Sequence, residues 1–196
     1  MAMTWNDIKV ATLQKMYAAQ GSSIPTDGSA DDYVAGMPYV ANEALNMLAT
    51  AGRYLLKSYV IAHDGTDKKY DLPTLISDFY MLDHINFETT SSVQEFYDYK
   101  TENNTLYLYG CPAGNYVVYY KAYPTQITMA TLDTYVFPLP NEVVVLLPLY
   151  MASQLYKEDD PSIATTLRNE FEVAFERLER YASYGKQEFT SESGWI

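Results

Sequence analysis

The chain has 196 residues, a length that fits one ordinary domain or one domain carrying a modest insertion. Hydrophobic residues make up 48% of the chain, enough to bury a sizeable core, whereas charged residues make up only 19% and leave much of the surface open to protein contacts. The formal net charge of -12 repels phosphate groups, which argues against binding to nucleic acids or to anionic membrane surfaces.

Three further features narrow the class of protein. The N-terminal segment MAMTWNDIKV lacks a basic stretch followed by an apolar run, so we expect no signal peptide. The longest apolar stretch, 143–150, is far shorter than the roughly 20 residues of a membrane-spanning helix. Cys111 is the one cysteine, which rules out an intrachain disulfide and a zinc site built from cysteines.

The first quarter of the chain predicts two helices. Thr4 and Asp7 resemble a capping box with Asp in place of Glu, so the first helix should begin there. A second apolar stripe with helical spacing begins at Asp32 or Pro38 and ends near Thr50. A loop rich in Gly, Ser and Asp should join these two helices.

The middle of the chain changes to the two-residue alternation that is typical of strands. The first strand begins near Leu55, and the Asp64-Gly65 pair that follows it is a hairpin signal. Further strand candidates are the segments 82–88, 93–99, 105–109 and 115–123, and Glu102, Asn103 and Asn104 predict a turn between two of them. Because these strands follow one another closely in the sequence, we expect an antiparallel meander.

Helical spacing returns near Asn141. One predicted helix runs from there to Lys157, with a kink at the internal Pro148. Asp160 and Pro161 then predict the start of a last helix, with the acid at the cap and the proline in the first turn. This last helix has the clearest amphipathic pattern in the chain.

The order of elements predicts an α+β fold that is mainly an α-helical bundle, with two N-terminal helices, two C-terminal helices and an antiparallel β-strand insertion between them. The predicted domains are the helical bundle of residues 1–54 and 136–184, the β insertion of residues 55–135 and a C-terminal docking tail of residues 185–196.

Residues that could carry catalysis are few. We expect His63 to be exposed beside the hairpin signal, and His84, which follows Asp83 in a strand, to be structural. The candidate nucleophiles, none of them in a nucleophile-elbow motif, are Ser58, Cys111 and Ser153. We therefore predict no catalytic residue.

Metal and phosphate sites are not predicted either. Glu158, Asp159 and Asp160 form an acidic cluster between two helices, but their spacing does not match a calcium-binding loop. Helix capping and solvated charge explain the cluster better. A glycine-rich phosphate loop with its terminal lysine is missing from the sequence, so we expect no cofactor.

Four segments carry a resemblance to a known family. They are TWNDIKVATLQKMYA, YVAGMPYVANEALNMLATAGRYL, GNYVVYYKAYPTQIT and LPNEVVVLLPLYMASQLYKEDDPSIATTLRNEFEVAFERL. Together they resemble the head-tail connector, or adaptor, proteins of tailed bacteriophages, and the resemblance extends from about residue 4 to 180. Their shared features are packing and capping signals rather than catalytic motifs.

The resemblance implies a structural virion protein rather than an enzyme. Such a subunit would form a ring, commonly of twelve copies, under the portal protein, and would offer a platform to the next neck or tail component. DNA would pass through the lumen without specific binding. The protein would lie in the neck of the virion, at the head-tail junction, after assembly in the cytoplasm of the bacterial host, and would not contact a membrane.

The resemblance also implies a role for the C-terminal tail, since this region of connectors reaches toward the portal. The tail is mostly polar, but it contains the large apolar residues Phe189, Trp195 and Ile196. An exposed tryptophan favours a protein contact, because tryptophan is enriched in interface hot spots. We predict that these three residues bind the portal.

Two other functions compete with this interpretation. One is a carbohydrate- or peptide-binding module on the tyrosine-rich strands, whose rings could stack against sugars. Its candidate residues are Tyr107, Tyr109, Tyr116, Tyr119 and Tyr120. The other is a small hydrolase, for which His84, Asp83 and Cys111 are the candidate residues.

Overall fold

The computed structural model describes residues 2–17, 21, 23–52, 55–89 and 92–184. The chain divides into two compact units. The first consists of Met1–Ala44, Leu132–Phe137 and Asn141–Ile196, and the second of Leu45–Thr131 and Pro138–Pro140. Whether the predicted bundle and insertion are domains in their own right stays a prediction.

The helices in chain order are α1 (Trp5–Lys15), α2 (Asp31–Gly52), α3 (Leu72–Leu75), α4 (Asn141–Val144), α5 (Leu147–Leu155) and α6 (Pro161–Tyr184). The strands are β1 (Leu56–His63), β2 (Lys68–Asp71), β3 (Phe79–Glu88), β4 (Val93–Glu95), β5 (Lys100–Glu102), β6 (Thr105–Leu108) and β7 (Gly114–Ala122). Among the helices that the structure describes, none is both long and apolar enough to cross a bilayer.

The predicted helical bundle with a small strand insertion is wrong. About 40% of the residues are helical and 26% lie in strands, which form one antiparallel sheet of four strands and another of three. The two sheets are therefore a major part of the architecture. The prediction underestimated them because short strands such as β2 and β5 carry too few residues to show an alternation.

The predicted meander is also wrong, because only some of the strands that are neighbours in the sequence pair with each other. The four-stranded sheet has the order β1-β7-β3-β4, and the three-stranded sheet has the order β2-β6-β5. Gly65 does adopt a positive φ of 84° in the predicted turn, but the strands on either side of it join different sheets. Strand β7 occupies a central position, which its consecutive buried residues Tyr116, Val117 and Val118 require.

One short hairpin does follow from the sequence. Strands β5 and β6 pair through a turn at Asn103 and Asn104, whose φ angles are 50° and 61°. Two successive positive φ angles produce a backbone twist that matches the twist of the paired strands, and asparagine tolerates this conformation. The predicted turn between the third and fourth strand candidates lies at these residues.

In the first unit, α1 begins as predicted. The Thr4 hydroxyl accepts a hydrogen bond from the Asp7 backbone amide, and the Asp7 carboxylate accepts one from the Thr4 amide, which completes the capping box. The helix ends at Lys15, and Tyr17 just after it adopts a positive φ of 56°, outside the right-handed helical region. The buried side chains of Ile8 and Leu13 form part of the core.

Two prolines bear on the predicted helix boundaries. Helix α2 begins at Asp31, which agrees with the predicted start near Asp32, so Pro38 lies inside the helix and is not its first residue. Pro148 lies in the first turn of α5, after the short helix α4 has ended, and so separates two helices instead of kinking one. The cap of α6 is as predicted, because the Asp160 carboxylate accepts hydrogen bonds from the amides of Ser162 and Ile163.

Candidate interaction surface

Strand β1 presents the longest open edge of either sheet. It has eight residues and pairs with β7 on one side, and in the described part of the chain no strand pairs with its other side. Leu56 is 50% exposed and Val60 is 51% exposed, while Tyr59 between them is 38% exposed. An open backbone edge flanked by apolar side chains is a template for pairing with another chain.

Strand β1 has few of the features that usually protect an edge strand. The strand contains no proline, and its pairing with β7 runs without a bulge. Its one lysine, Lys57, contacts the Asp78 carboxylate at 2.5 Å. The edges of the smaller sheet differ, since β2 and β5 have only four and three residues and begin with lysine. Strand β1 is thus the least protected of these edges.

His63 is buried rather than exposed, so the prediction for this residue is wrong. Strand β1 continues through His63, whose side chain lies on the same face as the buried Ile61. Its Nδ1 atom lies 3.0 Å from the Tyr70 hydroxyl, and its ring packs edge-on against Tyr116 at 5.5 Å. The Nε2 atom has no hydrogen-bond partner among the described residues, and burial keeps it from outside ligands.

The structure does bring His84 and Asp83 together. Register shifts in β3 next to Asp83 place its carboxylate 2.9 Å from His84 Nδ1 and 3.3 Å from Lys121 Nζ. Burial alone would raise the pKa of the Asp83 carboxyl, but the hydrogen bonds from His84 and Lys121 outweigh it and lower the pKa. The His84 ring stacks on Tyr119, with the ring centres 4.4 Å apart. These contacts give His84 a structural role in the sheet.

The candidate nucleophiles are not activated. The Cys111 thiol is buried and contacts the backbone carbonyls of Asp98 and Tyr109, and burial raises its pKa, which disfavours the reactive thiolate. The Ser153 hydroxyl is buried and donates to the Tyr150 carbonyl at 2.7 Å. Ser58 is exposed on β1 and pairs with Tyr119 across the sheet. None of these contacts supplies the histidine that a nucleophile needs.

Two acids of the cluster after α5 make hydrogen bonds that stabilise the fold. Asp160 caps α6, and Asp159 accepts a hydrogen bond from the Tyr33 hydroxyl at 2.7 Å. Glu158 is exposed to solvent. No group of three or more metal-ligating side chains occurs among the residues that the structure describes.

The tyrosines proposed as a sugar platform do not share one surface. Tyr116 and Tyr120 are buried, and their hydroxyls donate to the Pro112 carbonyl and the Asp78 carboxylate. Tyr119 stacks on His84, as described above. Only Tyr107 and Tyr109 lie together at the surface, with ring centres 5.7 Å apart. The platform of five rings therefore does not exist.

The residues predicted to bind the portal, Phe189, Trp195 and Ile196, lie outside the described residues. The edge strand itself could have been found from the sequence, since β1 carries apolar residues on both faces. Its position at the edge could not, because that depends on which strands pair.

The edge strand is long and apolar, and the candidate polar side chains make their hydrogen bonds within the chain. This combination is typical of a protein that assembles with other proteins. The chain belongs to the SU10 adaptor protein family, a family of phage head-tail adaptors, and the family model matches residues 3–191. The resemblance to connector proteins is thereby confirmed, as is a structural, neck-related role in a bacteriophage.

Membership of an adaptor family implies that the chain interacts with other structural proteins of the phage and is a component of the virion. No curated protein matches the chain significantly.

Proposed function

We propose that this protein is the neck subunit that joins the portal to the next neck or tail component. In this role several copies, twelve in the simplest case, form a ring under the portal and extend the channel for DNA. The observation that carries the proposal is the match of the adaptor family model to residues 3–191, which includes nearly all the described fold.

The charge of the chain supports a conduit for DNA. The net charge is -12, and several of the described lysines are already paired with carboxylates. A wall with few free cations gives a DNA backbone little to bind, so DNA would slide past without being held. Specific recognition of a DNA sequence is therefore not part of the proposed function.

The C-terminal tail is the proposed portal contact. Helix α6 extends to Tyr184, so the residues that follow are attached to a long helix whose first half is packed through the buried Leu167 and Phe171. Phe189, Trp195 and Ile196 would supply the apolar anchors, because a few large side chains carry most of the binding energy in an interface.

We also propose that the role of the subunit involves no catalysis. His84 is the histidine nearest to a carboxylate, and replacing it with alanine should leave tail attachment unchanged unless the fold is damaged. Loss of tail attachment by His84→Ala at an unchanged melting temperature would contradict this part of the proposal.

The test of the whole function is a phage that lacks this gene. Heads without tails should accumulate in the lysate, as seen by negative-stain electron microscopy. Supplying the wild-type chain in the host should restore tailed, infectious particles that contain the protein. Tailed infectious particles formed in the complete absence of the chain would disprove the neck role.

A further inference from the structure

The two outer strands of the four-stranded sheet are β1 and β4, and no strand of the described chain pairs with the outer edge of either. We propose that neighbouring copies of this chain pair the β1 edge of one with the β4 edge of the next. The inference rests on the proposed ring, and it names the surface through which the ring closes.

The hydrogen-bond pattern shows which backbone groups are available on β1. The Ala122 amide donates to the Leu55 carbonyl at 2.7 Å, so Leu55 and Ala122 are a hydrogen-bonded pair in this register. Hydrogen-bonded and non-hydrogen-bonded pairs alternate along antiparallel strands. Leu56, Ser58 and Val60 therefore direct their amide and carbonyl groups away from β7, toward the open edge.

The same reasoning applies to β4. The Phe96 amide donates to the Ile85 carbonyl at 2.7 Å, and the register of β4 with β3 extends through this pair. The alternation then leaves the amide and carbonyl groups of Val93 and Glu95 on the open edge. Val93 is 60% exposed, so β4, like β1, combines free backbone groups with an uncovered apolar side chain.

The direction of the strands suits a ring. All neighbours in the order β1-β7-β3-β4 are antiparallel, so β1 and β4 run in opposite directions. In a cyclic ring, a rotation about one axis relates each copy to the next. If the sheet runs around this axis, the equivalent strands of successive copies point in the same direction along it. The β1 strand of the next copy would then lie antiparallel to β4 and continue the pattern.

The two edges also differ from each other, which is what a ring requires. A ring is built from head-to-tail contacts between two different surfaces, whereas a contact between two identical surfaces closes at a dimer. Pairing of β1 with β4 belongs to the first kind. Because β4 has only three residues, each contact is small, and we expect stable rings only where several copies are held together on a platform.

Cross-linking in assembled particles tests the arrangement. Ser58 and Glu95 are exposed polar residues on β1 and β4 whose side chains lie on the same face of the sheet, and the variant Ser58→Cys with Glu95→Cys should tolerate both changes. A Cys111→Ala background removes the native thiol. Treatment of particles with a short bismaleimide should produce a ladder of dimers, trimers and larger species on a denaturing gel.

The single variants are the matched controls. Ser58→Cys alone and Glu95→Cys alone each lack one half of the pair, so they should give no ladder. Dimers from either single variant at the yield of the double variant would indicate contact between identical edges and overturn the inference. A double variant that is incorporated at the wild-type level but gives no ladder would overturn it as well.

A proline tests the backbone groups directly. Val60→Pro removes an amide that faces the open edge, and proline is tolerated at such positions, so the fold and the melting temperature should change little. The lost hydrogen bond and the bulk of the proline side chain should both weaken the pairing with β4 of the neighbouring copy. The amount of this variant in assembled particles should therefore fall about tenfold or more. Tyr59→Pro, which removes an amide directed at β7, should instead unfold the edge of the sheet.

The results of these experiments can contradict the pairing of β1 with β4 without contradicting the proposed neck function. Particles that contain normal amounts of Val60→Pro would overturn the pairing of β1 with β4 and leave the neck role in place. Absence of the wild-type chain from tailed particles would overturn the neck role and, with it, the inference.

Discussion

The hydroxyl of Tyr120 on β7 donates a hydrogen bond of 2.9 Å to the carboxylate of Asp78, the same carboxylate that Lys57 of β1 contacts at its other oxygen. One acid thereby ties the edge strand to the centre of the sheet. Burial and the bond to Asp78 raise the pKa of Tyr120 to about 12, well above the value of about 10 for a free phenol.

The first prediction is a loss of stability at alkaline pH. A phenol whose pKa is raised in the folded state stabilises the fold fully below the unfolded pKa of about 10, and that contribution is lost as the pH rises toward about 12. The free energy of unfolding, measured with urea, should fall steadily above about pH 10. Tyr120→Phe should reduce this slope and cost about 1 kcal/mol at neutral pH.

Tyr39→Phe is the control for this experiment, because Tyr39 is exposed. This variant should keep the neutral stability and the alkaline slope of the wild type. Burial also raises the pKa of Tyr116 to about 12, so Tyr120→Phe should reduce the slope and not abolish it. An unchanged slope in Tyr120→Phe would disprove the role of this phenol.

The second prediction concerns Gly114 at the start of β7. A Cβ atom there would lie 2.5 Å from the Phe87 ring, and that ring is held in place by Tyr116 and Phe96. Gly114→Ala should therefore destabilise the protein by about 1–3 kcal/mol, as overpacking does. Thermal unfolding followed by circular dichroism measures the effect.

Gly21→Ala is the matched control, since no atom of the described residues lies within 4 Å of a Cβ atom at Gly21. Its effect should stay within about 0.5 kcal/mol, as for most surface changes. Equal effects of the two substitutions would mean that the Phe87 contact does not determine the choice of glycine.

The third prediction compares two faces of α6. The Phe171 side chain is fully buried and packs against Tyr150 at 5.1 Å, whereas Val173 is 53% exposed. Phe171→Asp places a charge without a partner in the core and should unfold the first unit, because such burial costs several kcal/mol. Val173→Asp should remain folded. A soluble Phe171→Asp protein with a native circular dichroism spectrum would contradict this assignment of the buried face.

The fourth prediction concerns portal docking. Deleting residues 185–196 should leave the melting temperature nearly unchanged, because the packed part of α6 lies earlier in the helix, and should abolish attachment to DNA-filled heads. Replacing Phe189 and Trp195 with alanine should reproduce most of the loss, since they are the proposed anchors. A control that replaces Gln187 and Ser191 with alanine should attach normally. Normal attachment by the truncated chain would rule out the docking role.

Local chemistry explains which parts of the fold could be predicted. The capping box of Thr4 and Asp7 and the cap that Asp160 forms for α6 each join residues within three positions of one another, so their sequence signals are sufficient. The Asn103-Asn104 turn belongs to the same group. Such elements form wherever their residues occur, largely independently of the rest of the chain.

The tertiary structure alone decided the pairing of strands. Strand β1 lies against β7, which follows it by some fifty residues, and the intervening strands are divided between two sheets. No local signal encodes this choice, because the pairing depends on which apolar faces can be buried together. The pairing of the strands also determines that His63 is buried, that some tyrosines lie in the core and others at the surface, and that β1 has an open edge in the described chain.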